Sequence, residues 1–189
     1  MKITENGAWL NETNEGHCFD EALADAIEDF MWENNLWTML DLGCGEGKYV
    51  ARINAFPGMM AIGYDGNPHT NYPMCQVADL SQPFYYNAQP MEGQYPDFIL
   101  SLEVGEHIPA QFEDTFLDNV VKYAKDWIIL SWAVPGQGGD GHVNCKPNGY
   151  ITGAMEQRGF EIHLAETDKM RAASTLPWFK DTLMVFKRI

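Results

Sequence analysis

The first chemical signal is the run Asp41-Leu42-Gly43-Cys44-Gly45-Glu46-Gly47. Two glycines one residue apart permit a tight turn, and without a Cβ the backbone at Gly43 and Gly45 can approach a ligand closely. A dinucleotide loop needs a third glycine at position 48 and holds pyrophosphate at the start of the next helix. This chain has Lys48 there, and Glu46 sits where that helix begins. A carboxylate in that place repels phosphate. The loop therefore suits a ligand with no phosphate and some positive charge. Two more acids recur downstream, in Gly63-Tyr64-Asp65-Gly66 and in Val77-Ala78-Asp79-Leu80. At the first, a carboxylate can accept two hydrogen bonds from ribose hydroxyls, and Gly66 leaves room for the ring. Taken alone, Asp65-Gly66 is equally a turn, and NAD enzymes also place an acid there. His107 and His142 are the best candidates to take a proton, because an unperturbed imidazole titrates near neutral pH. The plainer roles are a capping or core histidine for His107 and an ordinary loop residue for His142.

Most of these residues follow short apolar runs. Residues 37–42, 59–64, 75–78, 98–102 and 127–132 read as buried strands, and 160–164 and 183–186 as two more. Helical periodicity spans 19–32, 47–56, 110–124 and 147–158. Phe19, Leu23, Ala26, Ile27 and Phe30 share a face of the first helix, and Phe112, Phe116, Val120 and Tyr123 a face of the third. Pro57-Gly58 and Gly159 stop two of them. Residues 81–96, with Pro83, Pro90 and Pro96, read as loop. The alternation predicts an α/β fold with a mostly parallel seven-stranded sheet, doubly wound. No clear helix separates the last two strands, so an antiparallel edge hairpin is expected. Residues 1–18 are expected to form an arm or lid, and 19–189 a single domain.

Asp41 to Gly47 resembles the first motif of the class I S-adenosylmethionine-dependent methyltransferases, an acid followed by GxGxG. The resemblance implies a Rossmann-like fold, S-adenosylmethionine as cofactor and a small-molecule acceptor. It implies that Gly43, Cys44 and Gly45 pack against the methionine moiety and that Asp41 orients its amino group. Asp65 would take the ribose hydroxyls beside Gly66, and Asp79 the adenine amino group between Ala78 and Leu80. One departure is the short stretch between Asp65 and Cys75, holding Pro68 and Pro73, where a helix usual in the family must be tiny or absent. The segment from Ser101 to Pro109 resembles one common in small-molecule methyltransferases. Ser101, Leu102 and Glu103 would then flank the transferring methyl. Glu106, His107 and His142 become the catalytic candidates, serving an oxygen or nitrogen acceptor. The glycine-rich stretch from Pro135 to Gly141 is expected to close over substrate. Trp9, Phe19, Trp132, Tyr150, Trp178 and Phe179 are candidate pocket aromatics.

No metal is assigned on this pattern. Glu103, Glu106, His107 and His142 also resemble the metal site of the small-RNA 3′-end 2′-O-methyltransferases, where a divalent ion would polarise a hydroxyl. The same segment is widespread in methyltransferases without metal. A nucleotide-dependent oxidoreductase and a cofactor-binding module without turnover are the rival functions, and Glu46 with Lys48 counts against the first.

Composition narrows the choice. The 189 residues are 46% hydrophobic and 21% charged, a globular profile, with net charge −15. Such a field repels phosphate backbones, and no Lys/Arg run offsets it, so nucleic-acid and anionic-membrane partners are disfavoured. No apolar stretch is long enough to span a bilayer, and no basic start with an apolar run marks a signal peptide. A cytoplasmic location is expected. Cys18, Cys44, Cys75 and Cys145 lack metal-type spacing and read as reduced thiols. His17, His69 and His163 have no supporting context.

Overall fold

The computed structural model describes residues 3–10, 17–86 and 95–189. Largely apolar runs become strands buried on both faces. They are β1 (Thr38–Leu42), β2 (Met60–Asp65), β4 (Phe98–Ser101) and β5 (Trp127–Ser131). A short strand, β3 (Cys75–Val77), forms one edge and is largely exposed. β6 (Phe160–Ile162) and β7 (Leu183–Arg188) complete seven strands among the described residues, in the order β3-β2-β1-β4-β5-β7-β6. Pairing is parallel from β3 to β5, and β7 runs antiparallel to both β5 and β6.

Side chains alternate across the sheet. Met39, Phe98, Leu100, Ile129 and Val185 enter one apolar layer with α1 (Glu21–Glu33). Leu40, Ile99, Ile128 and Phe186 enter the other with α3 (Glu113–Lys122). This two-sided burial is the expected doubly wound architecture. α2 (Lys48–Asn54) leaves the glycine loop through Gly47, whose φ of 69° is left-handed. A 3₁₀ turn, Ala110–Phe112, precedes α3 after Pro109, and α4 is Asn148–Glu156. No helix lies between β2 and β3, in line with the two prolines there.

The end of the chain departs from expectation. β6 and β7 do pair antiparallel, but α5 (Leu164–Ala173) and the single turn α6 (Phe179–Thr182) lie between them. α5 has no apolar stripe to announce it: Leu164 is exposed, and only Thr167 and Met170 are buried. Its cap is His163, whose Nδ1 accepts from Glu166 N at 3.4 Å, not one of the usual capping residues.

The strand order reverses beside β1, with β2 and β3 on one side and β4 on the other. Above the C-terminal strand ends at such a reversal a crevice opens. At the opposite end, Lys122, Lys125 and Arg188 gather around a shallow groove, a basic cluster that the linear sequence hides. Their charges are engaged locally: Lys122 on Phe84 O, Lys125 on Asp97, and Arg188 on the Ala124 and Lys125 carbonyls. No helix among the described residues is long and apolar enough to cross a membrane.

Candidate active site

A cavity of about 410 Å³ occupies this crevice. Its floor on one side is the turn after β1. Gly43 has φ 90°, and a Cβ there would stand 2.1 Å from Val104 Cγ2, so only glycine fits. Gly43 N and Cys44 N donate to Tyr64 O at 2.7 and 3.1 Å, which ties the turn to the end of β2.

Asp41 reaches the cavity from the last turn of β1, yet it is only 3% exposed. No donor among the described residues hydrogen-bonds its carboxyl. Burial first, then the nearby Cys75 and Asp65, push its pKa well above the ordinary carboxylate range. Asp65 behaves differently. Its Oδ2 accepts from Gly45 N and its Oδ1 from Asn67 N, both at 2.8 Å. It fixes the loop and still has a free lone pair on each oxygen. Asp79 lines the same side, with Oδ1 accepting from Ser81 N and Oγ. Glu46 also lines it, with Lys48 Nζ 2.8 Å away as its ion-pair partner, although neither of its buried oxygens is in good hydrogen-bond geometry.

The other half is built from the segments after β4 and β5. Glu103 has φ 54°, left-handed for a residue with a Cβ, a departure that is frequent at functional sites. Its carboxylate accepts from Gln137 Nε2 at 2.5 Å and Thr182 Oγ1 at 3.1 Å. His107 Nδ1 lies 3.2 Å from Gly141 O, so Nδ1 carries the proton and Nε2 is the acceptor. Burial, then the neighbouring His142, pushes its pKa down to about 4, so it is neutral at pH 7. The two imidazoles meet edge to face, with centroids 4.9 Å apart. His142 Nδ1 faces Gln137 O at 3.3 Å, and its Nε2 lies 3.9 Å from Glu106 Oε1. Glu106 is fully buried, with neither oxygen in good hydrogen-bond geometry, and burial drives its pKa well up, helped by Glu103. Glu106, His107 and His142 each offer a ligand atom within 4.8 Å of the others.

Residues 3–10 lie over this half. Gly7 packs so tightly on the His107 carbonyl that a Cβ would come within 2.1 Å of its oxygen. Trp9 meets His107 edge-on at 5.2 Å and His17 at 5.1 Å. The Trp9 indole N–H is buried with no partner among the described residues.

Neither a family model nor a curated protein matches the sequence. Solved structures do match the fold. The amino pentose methyltransferase CalS10 from Micromonospora echinaspora, with bound SAM, is 12% identical, covering 92% of this chain and 93% of its own, with TM-score 0.66. The sugar N-methyltransferase KedS8 from Streptoalloteichus sp. ATCC 53650 is 17% identical, over 96% and 98%, with TM-score 0.64. The magnesium protoporphyrin IX methyltransferase of Synechocystis PCC 6803, with bound SAH, is 17% identical, over 88% and 82%, with TM-score 0.61. The chain has the class I methyltransferase fold.

Within this methyltransferase fold the cavity gathers most of the residues singled out by sequence. Asp41, Gly43, Cys44, Gly45, Asp65, Gly66, Asp79 and Leu80 line one half, and Leu102, Glu103, His107 and His142 the other. Three do not line it. Ser101 turns inward by strand alternation, and its Oγ donates to Leu42 O at 2.6 Å, joining β4 to β1. Ala78 packs against the core and donates its N–H to Asp65 O. Glu106 stands behind the imidazoles. Among the aromatics, Trp9, Phe19, Trp178 and Phe179 line the cavity. Trp132 is wholly buried with Nε1 on Asn144 O, and Tyr150 bonds Glu113. His17, which has no sequence context, also lines the cavity, over Gly45. Only the folding of the N-terminal arm brings it there. Tyr49 and Gln137 were likewise hidden in a helix and a glycine-rich loop. Of the expected arm, residues 1–2 and 11–16 lie outside the described residues.

Proposed function

We propose that the chain transfers the methyl group of S-adenosylmethionine to an oxygen or nitrogen of a small-molecule acceptor. The observation that carries this is Asp41: a carboxyl buried in the cavity wall with no cation beside it. It ionises at low cost only when a ligand supplies positive charge, and the α-ammonium of the cofactor is such a charge. The cavity volume lies within the range of small-molecule sites. Asp65 keeps lone pairs for ribose hydroxyls, and Asp79 with Leu80 stands where adenine would lie.

S-Adenosylmethionine supplies a carbon already activated by its sulfonium. Bound there, it would offer that carbon to an acceptor's lone pair, with S-adenosylhomocysteine as the departing thioether. The protein's part is alignment, exclusion of water and reception of one proton. His107 and His142 are the groups at hand. Glu106, its pKa raised by burial, stands behind them. The arm over His107 serves as a lid, with Trp9, Trp178 and Phe179 as apolar walls.

Isothermal titration tests the reading. S-Adenosylhomocysteine should bind at least about tenfold more tightly than 5′-methylthioadenosine, which lacks the amino-acid arm, and NAD should not bind. Binding of NAD without S-adenosylhomocysteine would overturn it in favour of an oxidoreductase.

The triangle of Glu106, His107 and His142 supports a second reading, in which these three hold a divalent ion that polarises an acceptor hydroxyl. Neutral His107 is ready to ligate, whereas Glu103 is spent on Gln137 and Thr182. The net charge of −15 favours a small acceptor over RNA. Equilibrium dialysis with Zn²⁺ or Mn²⁺ should then show one bound ion, lost in His142→Ala. No binding to the native protein would exclude this reading.

A further inference from the structure

Two thiols far apart in sequence meet beneath the glycine loop. Cys44 lies in the turn after β1, and Cys75 opens β3 on the far side of β2. Between them is Gly63. A Cβ there would stand 2.6 Å from Cys44 Sγ and 3.0 Å from Cys75 Sγ, so the missing side chain leaves the space in which both sulfurs sit. The closeness of the two thiols lowers the pKa of Cys75 and raises that of Cys44, which favours the thiolate at Cys75 and the neutral thiol at Cys44. Cys75 is partly exposed, and Cys44 is 8% exposed. The partly exposed residue is the one a small oxidant reaches first, and the buried one stands across the Gly63 gap from it. That is the arrangement of an attacking and a resolving thiol.

We propose that Cys44 and Cys75 form a two-electron oxidation site for hydroperoxides, and that closing it dismantles the cofactor loop. The thiolate of Cys75 attacks a peroxide oxygen. The O–O bond breaks, one water leaves after protonation, and Cys75 becomes a sulfenic acid. Cys44 sulfur then attacks Cys75 sulfur, the S–O bond breaks, and a second water leaves. Two thiols and one hydrogen peroxide give one disulfide and two waters.

The consequence for the loop follows from what each cysteine is tied to. A disulfide needs sulfurs about 2 Å apart, closer than two unbonded sulfurs can stand. Cys75 is held in the ladder opposite Gly63, and Gly63 N donates to Met74 O. Cys44 stands between Gly43 and Gly45, so the loop is the side that yields. Its movement strains the bonds of Gly43 and Cys44 to Tyr64 O and of Gly45 to Asp65. Those bonds shape the floor under the proposed cofactor, so the effect on binding rests on the methyltransferase function proposed for the chain.

The test treats the purified protein with hydrogen peroxide and maps disulfide-linked peptides by mass spectrometry. It then titrates S-adenosylhomocysteine into reduced and oxidised protein. A Cys44–Cys75 linkage is expected, with affinity at least about tenfold weaker and restored by dithiothreitol. Cys75→Ser, which lies outside the cavity wall, should bind like the reduced native protein and ignore peroxide. The proposal is overturned by absence of that linkage, or by a linked protein that binds unchanged. It is equally overturned if Cys75→Ser loses affinity in peroxide as the native protein does, which would point to Cys18 in the cavity. The peptide map decides the pairing even if reduced protein fails to bind, so failure here and failure of the cofactor reading are separable.

Discussion

Asp20 and Asp41 are both nearly sealed from water, at 1% and 3% exposure, and the fold treats them in opposite ways. Asp20 caps α1 through Leu23 N and gathers Ser174 Oγ, Thr175 N and Oγ1, and Leu176 N from the segment before α6. These bonds outweigh burial and hold its pKa down to about 2. Asp41 has none, and burial drives its pKa the other way. A buried acid with every lone pair used is a fastener. A buried acid left without partners, in a cavity wall, is a stored demand for a ligand.

The comparison can be broken first at its stable end. Asp20→Ala removes a cap and strands several donors, so denaturant unfolding should show a loss of about 3 kcal/mol. The acid limb of the native protein carries the same signature. The folded pKa of Asp20 lies below the unfolded value of 3.8. Its contribution, about 2 kcal/mol, is therefore present above that value and lost as pH falls toward about 2. Asp41 has the reverse sign: its raised pKa favours folding while it is protonated and costs stability as pH rises and the carboxyl ionises. Asp41→Asn should leave stability equal or higher.

A smaller effect separates chemistry from binding. His142→Ala should lower methyl transfer by about tenfold or more while S-adenosylhomocysteine affinity stays within about twofold. Equal turnover would remove His142 from catalysis. The smallest effect tests whether a carboxylate already paired with a cation contributes to binding at all. Glu46→Gln should change affinity by about twofold or less, because Lys48 already answers Glu46. A loss approaching that of Asp41→Asn would mean that Glu46 is the true counter-charge.

What the sequence made legible follows the same physics. β1, β2, β4 and β5 are buried on both faces, so their apolar runs stand out, and the acids and glycines beyond them mark the crevice. Where tertiary contacts decide, the linear pattern carries little. α5 has almost no buried face. Ser101 follows strand alternation into the core, although its segment borders the cavity. His17 and Trp9 gain their place only when the arm folds over His107. The meeting of Cys44 with Cys75 needs the parallel ladder that sets β3 beside Gly63. Glu106 was legible as a candidate, but not as the buried acid with a raised pKa behind two imidazoles.

The most direct measurement concerns protons. Titrating S-adenosylhomocysteine at about pH 6 in buffers of different ionisation enthalpy counts the protons released on binding. The ammonium should draw Asp41 into its ionised form, so the native protein should release protons and bind more tightly as pH rises. Asp41→Asn should bind about tenfold to a hundredfold more weakly with that release gone. Equal affinity and equal proton release in the two proteins would contradict the account.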